Sequence, residues 1–146
     1  MKERFEIFTT QIAKISRNIR RIKAEEMMEY NLKSPHVSCL YYLYKNEEGL
    51  TPKQLCEVCD EDKAAVSRSI EQLINEGYLN YESGAKKYKN PILLTEKGKS
   101  VAAELAKKID NILEEASEGL SEESRQDFYK SLILISDNLQ KMAERK

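Results

Sequence analysis

The stretch Cys56-Glu57-Val58-Cys59 is where residue types and spacing in this 146-residue chain first suggest chemistry. A C-x-x-C pair can hold zinc or exchange thiol for disulfide. His36, the only histidine, and Cys39 lie one helical turn apart and would complete a set of four ligands. Against that reading, metal-binding pairs usually sit on tight turns, whereas this one runs along a short helix with no second C-x-x-C in the chain. A buried free cysteine also packs as a small hydrophobe. Packing is the expected role, so neither metal nor cofactor is expected, and a zinc- or thiol-linked sensor stands as the alternative. One histidine and scattered serines give no catalytic triad and no acid–base pair of defined spacing. No glycine-rich phosphate loop is present. The chain is not expected to be an enzyme.

A second constellation lies on the helix predicted to begin after Asp62. With Val66 at the centre of its buried face, a 100° step per residue puts Ala64, Arg68, Glu71, Gln72 and Asn75 opposite, with Ser67 at the edge. Ala64 and Ala65 are small, so the helix N-terminus can approach a DNA backbone closely, and its free N–H groups favour phosphate. Arg68 can donate two hydrogen bonds to guanine and Gln72 can pair with adenine. Taken alone, these residues would be an ordinary solvated helix face.

The elements around them change the weighing. Thr51-Pro52 is a cap-plus-proline helix start, with Leu55 and Val58 directed to a core. Asp60-Glu61-Asp62 breaks that helix, and Asp62 caps the next, whose inner positions are Val66, Ile70, Leu73 and Ile74. Gly77 is placed to close it. Tyr78 to Glu82 and Pro91 to Leu94 read as two strands. Helix, acidic turn, helix, glycine and hairpin in that order make a winged helix-turn-helix, whose second helix enters a major groove. The hairpin tip, Ser83 to Asn90, carries Lys86, Lys87 and Lys89 with no acid, suited to phosphate or minor-groove contact. Edge protection of the hairpin is the plainer use of such lysines.

Long helices flank this centre. Phe5, Phe8, Ile12, Ile15, Ile19 and Ile22 recur at steps of three and four, as do Phe128, Leu132, Ile135, Leu139 and Met142. Ser34-Pro35 starts a further helix with Val37, Leu40, Leu43 and Tyr44 inward, and Thr95 caps another carrying Val101, Leu105, Ile109 and Ile112. Ser121 caps the last. The seams of the first and last helices suit a partner helix, and Phe5, Phe8, Ile12, Ile15, Phe128, Leu132, Ile135 and Leu139 are the expected dimer contacts.

Composition sets outer bounds. Charged residues are 34% and hydrophobic ones 40%, with five glycines and three prolines, the balance of a globular, helix-rich chain. The longest charge-free stretch, Ser34 to Tyr44, is far short of the roughly 20 apolar residues of a membrane span. Met1-Lys2-Glu3-Arg4 lacks the apolar run of a secretory signal. Three cysteines make no disulfide framework, so a cytoplasmic location is expected. The net charge of −1 hides a basic segment 1–33 and an acidic segment 101–146. Such a chain is no polycation, but the potential on one face is what counts for nucleic acid.

Four segments in order resemble the multiple-antibiotic-resistance regulator (MarR) family. They are Thr51-Pro52-Lys53-Gln54-Leu55-Cys56, Asp62-Lys63-Ala64-Ala65-Val66-Ser67-Arg68, Leu73-Ile74-Asn75-Glu76-Gly77-Tyr78-Leu79 and Leu94-Thr95-Glu96-Lys97-Gly98. The flanking helices are similar to that family's dimerisation region. The resemblance implies a mainly α fold: a single domain over 1–146, with dimerisation helices at 1–33 and 101–146 around a winged helix-turn-helix at 34–100. It implies a homodimeric bacterial or archaeal transcription factor, typically a repressor. Such a protein binds near-palindromic double-stranded DNA and is released by a small molecule, metal or oxidant. The expected DNA-facing set is Thr51, Lys53, Lys63, Ala64, Ala65, Ser67, Arg68, Gln72, Lys86, Lys87 and Lys89. The family's wing carries an aspartate two residues before an arginine; here Ala85-Lys86-Lys87-Tyr88-Lys89-Asn90 has neither, leaving Lys87 or Lys89 without arginine's planar fork. The family's peroxide-sensing members carry a cysteine in the first helix, which this chain lacks. Tyr41, Tyr42 and Tyr44 read as packing residues. The alternative is an effector pocket in which Tyr41 and Tyr44 join Arg17, Arg21 and His36 around an anionic aromatic compound. A winged helix used only for protein assembly is the remaining rival, favoured by Glu71 and the acidic turn.

Overall fold

The structure is a computed structural model that describes residues 2–59, 61–82 and 90–145. The chain divides into two compact units, Met1–Ile109 and Asp110–Lys146.

The first unit opens with α1 (Lys2–Glu26), the long helix that the three-and-four spacing predicts. A single 3-10 turn, Met28–Tyr30, ends at Asn31 in the left-handed region and turns the chain into α2 (Ser34–Lys45), with Pro35 in its first turn. Helix α2 is the hub. It packs against α1, α3 (Pro52–Val58), α4 (Lys63–Asn75) and β2 (Ile92–Leu94). Val37, Leu40 and Leu43 from α2 meet Leu55, Val66, Ile70, Leu73, Leu79, Ile92 and Leu105 in one buried core. Burial of each such side chain contributes about 1.5–3 kcal/mol, which anchors both helices of the helix-turn-helix to one element.

Two inward assignments from the sequence are corrected. Val58 is 43% exposed, because Leu55 and Cys59, four residues apart, take the inner face at the end of α3. Tyr44 is exposed near the end of α2, over a cleft rather than in the core.

Strand β1 (Leu79–Tyr81) pairs antiparallel with β2, Leu79 opposite Leu94 and Tyr81 opposite Ile92. Leu50 adds a bridge to Ile92, its N–H donating to the Ile92 carbonyl and its carbonyl accepting from the Ile92 N–H at 2.7 Å. Helix α5 (Glu96–Ala116) starts directly after β2, and Val101, Ala102, Leu105 and Ile109 join the core cluster or pack on it. Gly98 has to be glycine, since a Cβ there would lie 2.1 Å from the Tyr78 carbonyl oxygen.

The second unit contains the end of α5 and α6 (Glu122–Glu144). Ser121 caps α6 by accepting from the Ser124 N–H at 3.1 Å. Arg125 ties the turn together, donating to Glu114 at 2.9 Å and to the Ser117 carbonyl at 3.1 Å. Along α6 the seam residues Phe128, Ile135, Leu139 and Met142 are exposed, as are Ile133 and Leu134 beside the seam, while Leu132 is half-buried. Among the described residues, no helix is long and apolar enough to cross a membrane.

Candidate nucleic-acid interface

Both helices of the central motif are built from their caps. The Thr51 hydroxyl accepts from the Gln54 N–H at 3.2 Å, and the Gln54 side chain accepts from the Thr51 N–H at 2.9 Å, a reciprocal capping box. Asp62 accepts from the Ala65 N–H at 3.2 Å and sets the start of α4. Glu61 is turned back to α2, where it accepts from the Ser34 hydroxyl at 2.7 Å. Two of the three acids in the turn therefore hold helix starts in place; Asp60 lies outside the described residues.

Helix α4 then divides cleanly into two faces. Val66, Ser69, Ile70 and Leu73 are buried, while Lys63, Ala64, Ser67, Arg68, Glu71, Gln72 and Asn75 are exposed and Ala65 lies between. Lys53 is exposed and Thr51 half-buried at the start of α3. Arg68 makes no hydrogen bond or ion pair with the described residues, so its guanidinium is available to a partner.

Gln72 has a partner within the chain. Its side-chain oxygen lies 2.6 Å from Nε2 of His36. Nδ1 of that ring accepts from the Lys33 N–H at 2.9 Å. A neutral imidazole that accepts at Nδ1 carries its proton on Nε2, so Nε2 donates to Gln72. The pair joins the start of α2 to the exposed side of α4. A two-bond contact to adenine would draw on the same Gln72 oxygen that here accepts from His36.

The base of the wing is tied to the end of α4 by residues the sequence marks only as a helix start. Gly77, at φ +84°, turns the chain out of α4. The Thr95 hydroxyl donates to the Gly77 carbonyl at 2.6 Å and accepts from the Gly98 N–H at 3.0 Å. Lys97 donates to the Glu76 carbonyl at 2.8 Å and stands 4.4 Å over the Tyr78 ring. These bonds fix where the hairpin leaves the recognition helix. Its tip does not belong to the described residues, and with it go Lys86, Lys87 and Lys89.

The five residues expected around an effector are not gathered. His36 is buried and has both ring nitrogens engaged. Arg21 is exposed and paired with Glu25 at 3.3 Å on its own helix. Tyr41 stacks edge-on against Tyr42 at 5.3 Å, and Arg17 lies exposed on α1. Tyr44 lines a cleft of about 450 Å³, together with Leu43, Asn46, Glu47, Leu93, Leu94 and Lys99.

The cysteines are free: Cys39 and Cys59 are buried and Cys56 is half-buried on α3. No group of three His, Cys, Asp or Glu among the described residues is arranged to hold a metal ion. The engaged ring of His36 removes it from any four-ligand set.

Residues 30–86 match the family model described as the MarR family. No curated protein matches the sequence. Among solved structures, the chain is similar to the transcriptional regulator SlyA, with 24% identity and a TM-score of 0.78 over 92% of this chain and 94% of that one. A MarR family regulator from Neisseria meningitidis shows 20% identity and a TM-score of 0.76, covering 98% and 99%. MepR of S. aureus, solved as a complex with DNA, shows 18% identity and a TM-score of 0.75, covering 90% and 96%. These likenesses identify the fold as the winged helix of those regulators.

Proposed function

We propose that this chain, MarR-family in sequence over residues 30–86 and in fold beyond them, is a sequence-specific transcriptional regulator of double-stranded DNA. It acts as a homodimer on a near-palindromic operator, as a repressor, with a small molecule releasing it. The observation that carries the reading is α4: a helix anchored by one buried face and held at both ends, presenting Ser67 outward with Arg68, which has no partner among the described residues. Arg68 is the base reader, donating two hydrogen bonds to guanine. Lys53, Lys63 and the start of α4 contact phosphate, as do the wing lysines Lys86, Lys87 and Lys89. Gln72 positions α2 against α4 and does not read a base.

Segments 1–33 and 101–146 supply the dimer interface around the DNA-reading part at 34–100. Support comes from large apolar side chains left exposed on α1 and, separately, on α6, the kind of surface that a partner covers. In such a dimer the two recognition helices address successive major grooves, about 34–36 Å apart. For effector binding, the supporting feature is the cleft at Tyr44. The rival assembly reading loses support because Glu61 and Asp62 are engaged in holding helix starts.

Fluorescence anisotropy across a salt series, with DNA from upstream of the gene beside random DNA, tests the proposal. Tight operator binding, lost selectively in Arg68→Ala, is the expected result. Such a bidentate contact gives about 1–3 kcal/mol of discrimination. Unchanged operator preference in that variant would remove Arg68 as a reader, and no binding at low salt would favour protein assembly.

A further inference from the structure

The contact between His36 on α2 and Gln72 on α4 has a direction. The Lys33 N–H can only donate, so the Nδ1 atom it reaches at 2.9 Å carries no proton and the ring proton sits on Nε2. Nε2 lies 2.6 Å from Oε1 of Gln72, so the amide must turn its oxygen, not its amine, toward α2. The ring is itself held: it is 8% exposed and tied through the Lys33 N–H to the start of its helix. Gln72 is exposed, on the same face of α4 as Arg68. An adenine edge is met by an amide that offers oxygen and amine side by side, the oxygen to N6 and the amine to N7. Here the oxygen is drawn to a buried ring on a neighbouring helix, and the amide edge goes with it. We infer that His36 is a positioning residue that determines specificity: by holding the Gln72 amide against α2, it keeps an adenine contact out of the operator and leaves Arg68 as the base reader. The inference rests on the proposed reading of double-stranded DNA by α4.

His36 does two separable jobs. Its acceptor, Nδ1, holds the Lys33 N–H and serves the start of α2; its donor, Nε2–H, holds Gln72. An asparagine side chain places an acceptor oxygen near the position of Nδ1 but has no atom at Nε2. A glutamine side chain can place a donor amine near Nε2. The two substitutions therefore part the structural job from the specificity job. Once released, the Gln72 amide can meet an adenine beside the guanine that Arg68 reads, because the two residues stand one turn apart.

The full-length protein is put through rounds of binding to a randomised duplex library, and the bound DNA is sequenced. Wild type should select a guanine that is lost in Arg68→Ala, with no adenine preference that depends on Gln72. His36→Asn should keep that guanine and gain, at a neighbouring position, an adenine enrichment of about tenfold. Adding Gln72→Ala should remove the new preference, and His36→Gln should lack it. Loosened packing alone would weaken binding to every sequence and create no new base preference. His36→Asn selecting only the wild-type sequence would overturn the inference, as would a wild-type adenine preference abolished by Gln72→Ala. A wild type that selects no sequence would overturn the DNA reading, and the inference with it. Wild-type protein alone supplies a second measure. Nitrogen-15 NMR of the histidine ring should show its proton on Nε2, in contact with the Gln72 amide, both free and on the selected DNA. Loss of that contact on DNA would overturn the inference whether or not any variant folds.

Discussion

Leu40, Leu55, Val66 and Leu73 are completely buried where α2, α3 and α4 meet, whereas Phe5 on α1 is 72% exposed and Ile133 and Leu134 on α6 are each 60% exposed. The side chains are of one chemical kind, and the difference lies in what covers them. The helix-turn-helix brings its own cover: α2 sits under both of its helices, and caps from Thr51 and Asp62 satisfy the helix starts. The long helices expose apolar side chains to water, a cost that association would remove. On the proposed function, the DNA-reading part holds its recognition helix without a partner, whereas the proposed dimerisation helices would gain stability from one.

The largest separation between the two regions is expected from Leu40→Ala. Removing a fully buried leucine from the hub helix should lower unfolding free energy by about 2–5 kcal/mol. The loss should appear in denaturant titration at every protein concentration, because no partner is needed to bury Leu40. Charges placed in the α6 seam, Ile135→Asp with Leu139→Asp, should behave in the opposite way. Wild type should sediment as a dimer with a melting temperature that rises with concentration, and the double variant as a folded monomer whose melting temperature does not. A wild-type monomer would remove the dimer proposal and leave those exposed side chains without a cover.

Gly98→Ala is expected to come next, at about 1–3 kcal/mol, the usual range for forcing atoms into a filled site. Its Cβ would meet the Tyr78 carbonyl oxygen, which is backbone and cannot swing aside. Since Thr95 and Gly98 together hold the wing base to the end of α4, the strain belongs to the self-sufficient region. Thermal denaturation should therefore show the loss at all concentrations; a concentration-dependent loss would break the comparison.

The sequence made the helix starts legible because caps and prolines act over three or four residues. Thr51, Asp62 and Ser121 all accept the N–H bond their position implies. The seams were legible as helices from spacing, but spacing cannot say whether an apolar face is covered by the same chain, and here it is exposed on α6. Val58 was placed inward by period alone, which fails on a seven-residue helix whose end residue, Cys59, competes for the same face.

Gln72 and Arg68 give the smallest effect and the finest test, because they stand one turn apart on the same exposed face of α4. Helical periodicity treats them alike. The structure separates them: the Gln72 oxygen takes the proton-bearing Nε2 of a buried His36, and Arg68 has no partner among the described residues. Gln72→Ala would leave that ring nitrogen without its acceptor and should lower stability by about 1 kcal/mol, the usual worth of one such bond. Because the bond lies inside the self-covered region, the loss should not vary with protein concentration. Operator preference, measured as the ratio of affinities for operator and random DNA, should stay at the wild-type value, while Arg68→Ala should collapse that ratio without loss of stability. If Gln72→Ala instead left stability untouched and erased preference at one base, the side chain would release His36 on the DNA, and the face of α4 would carry two readers.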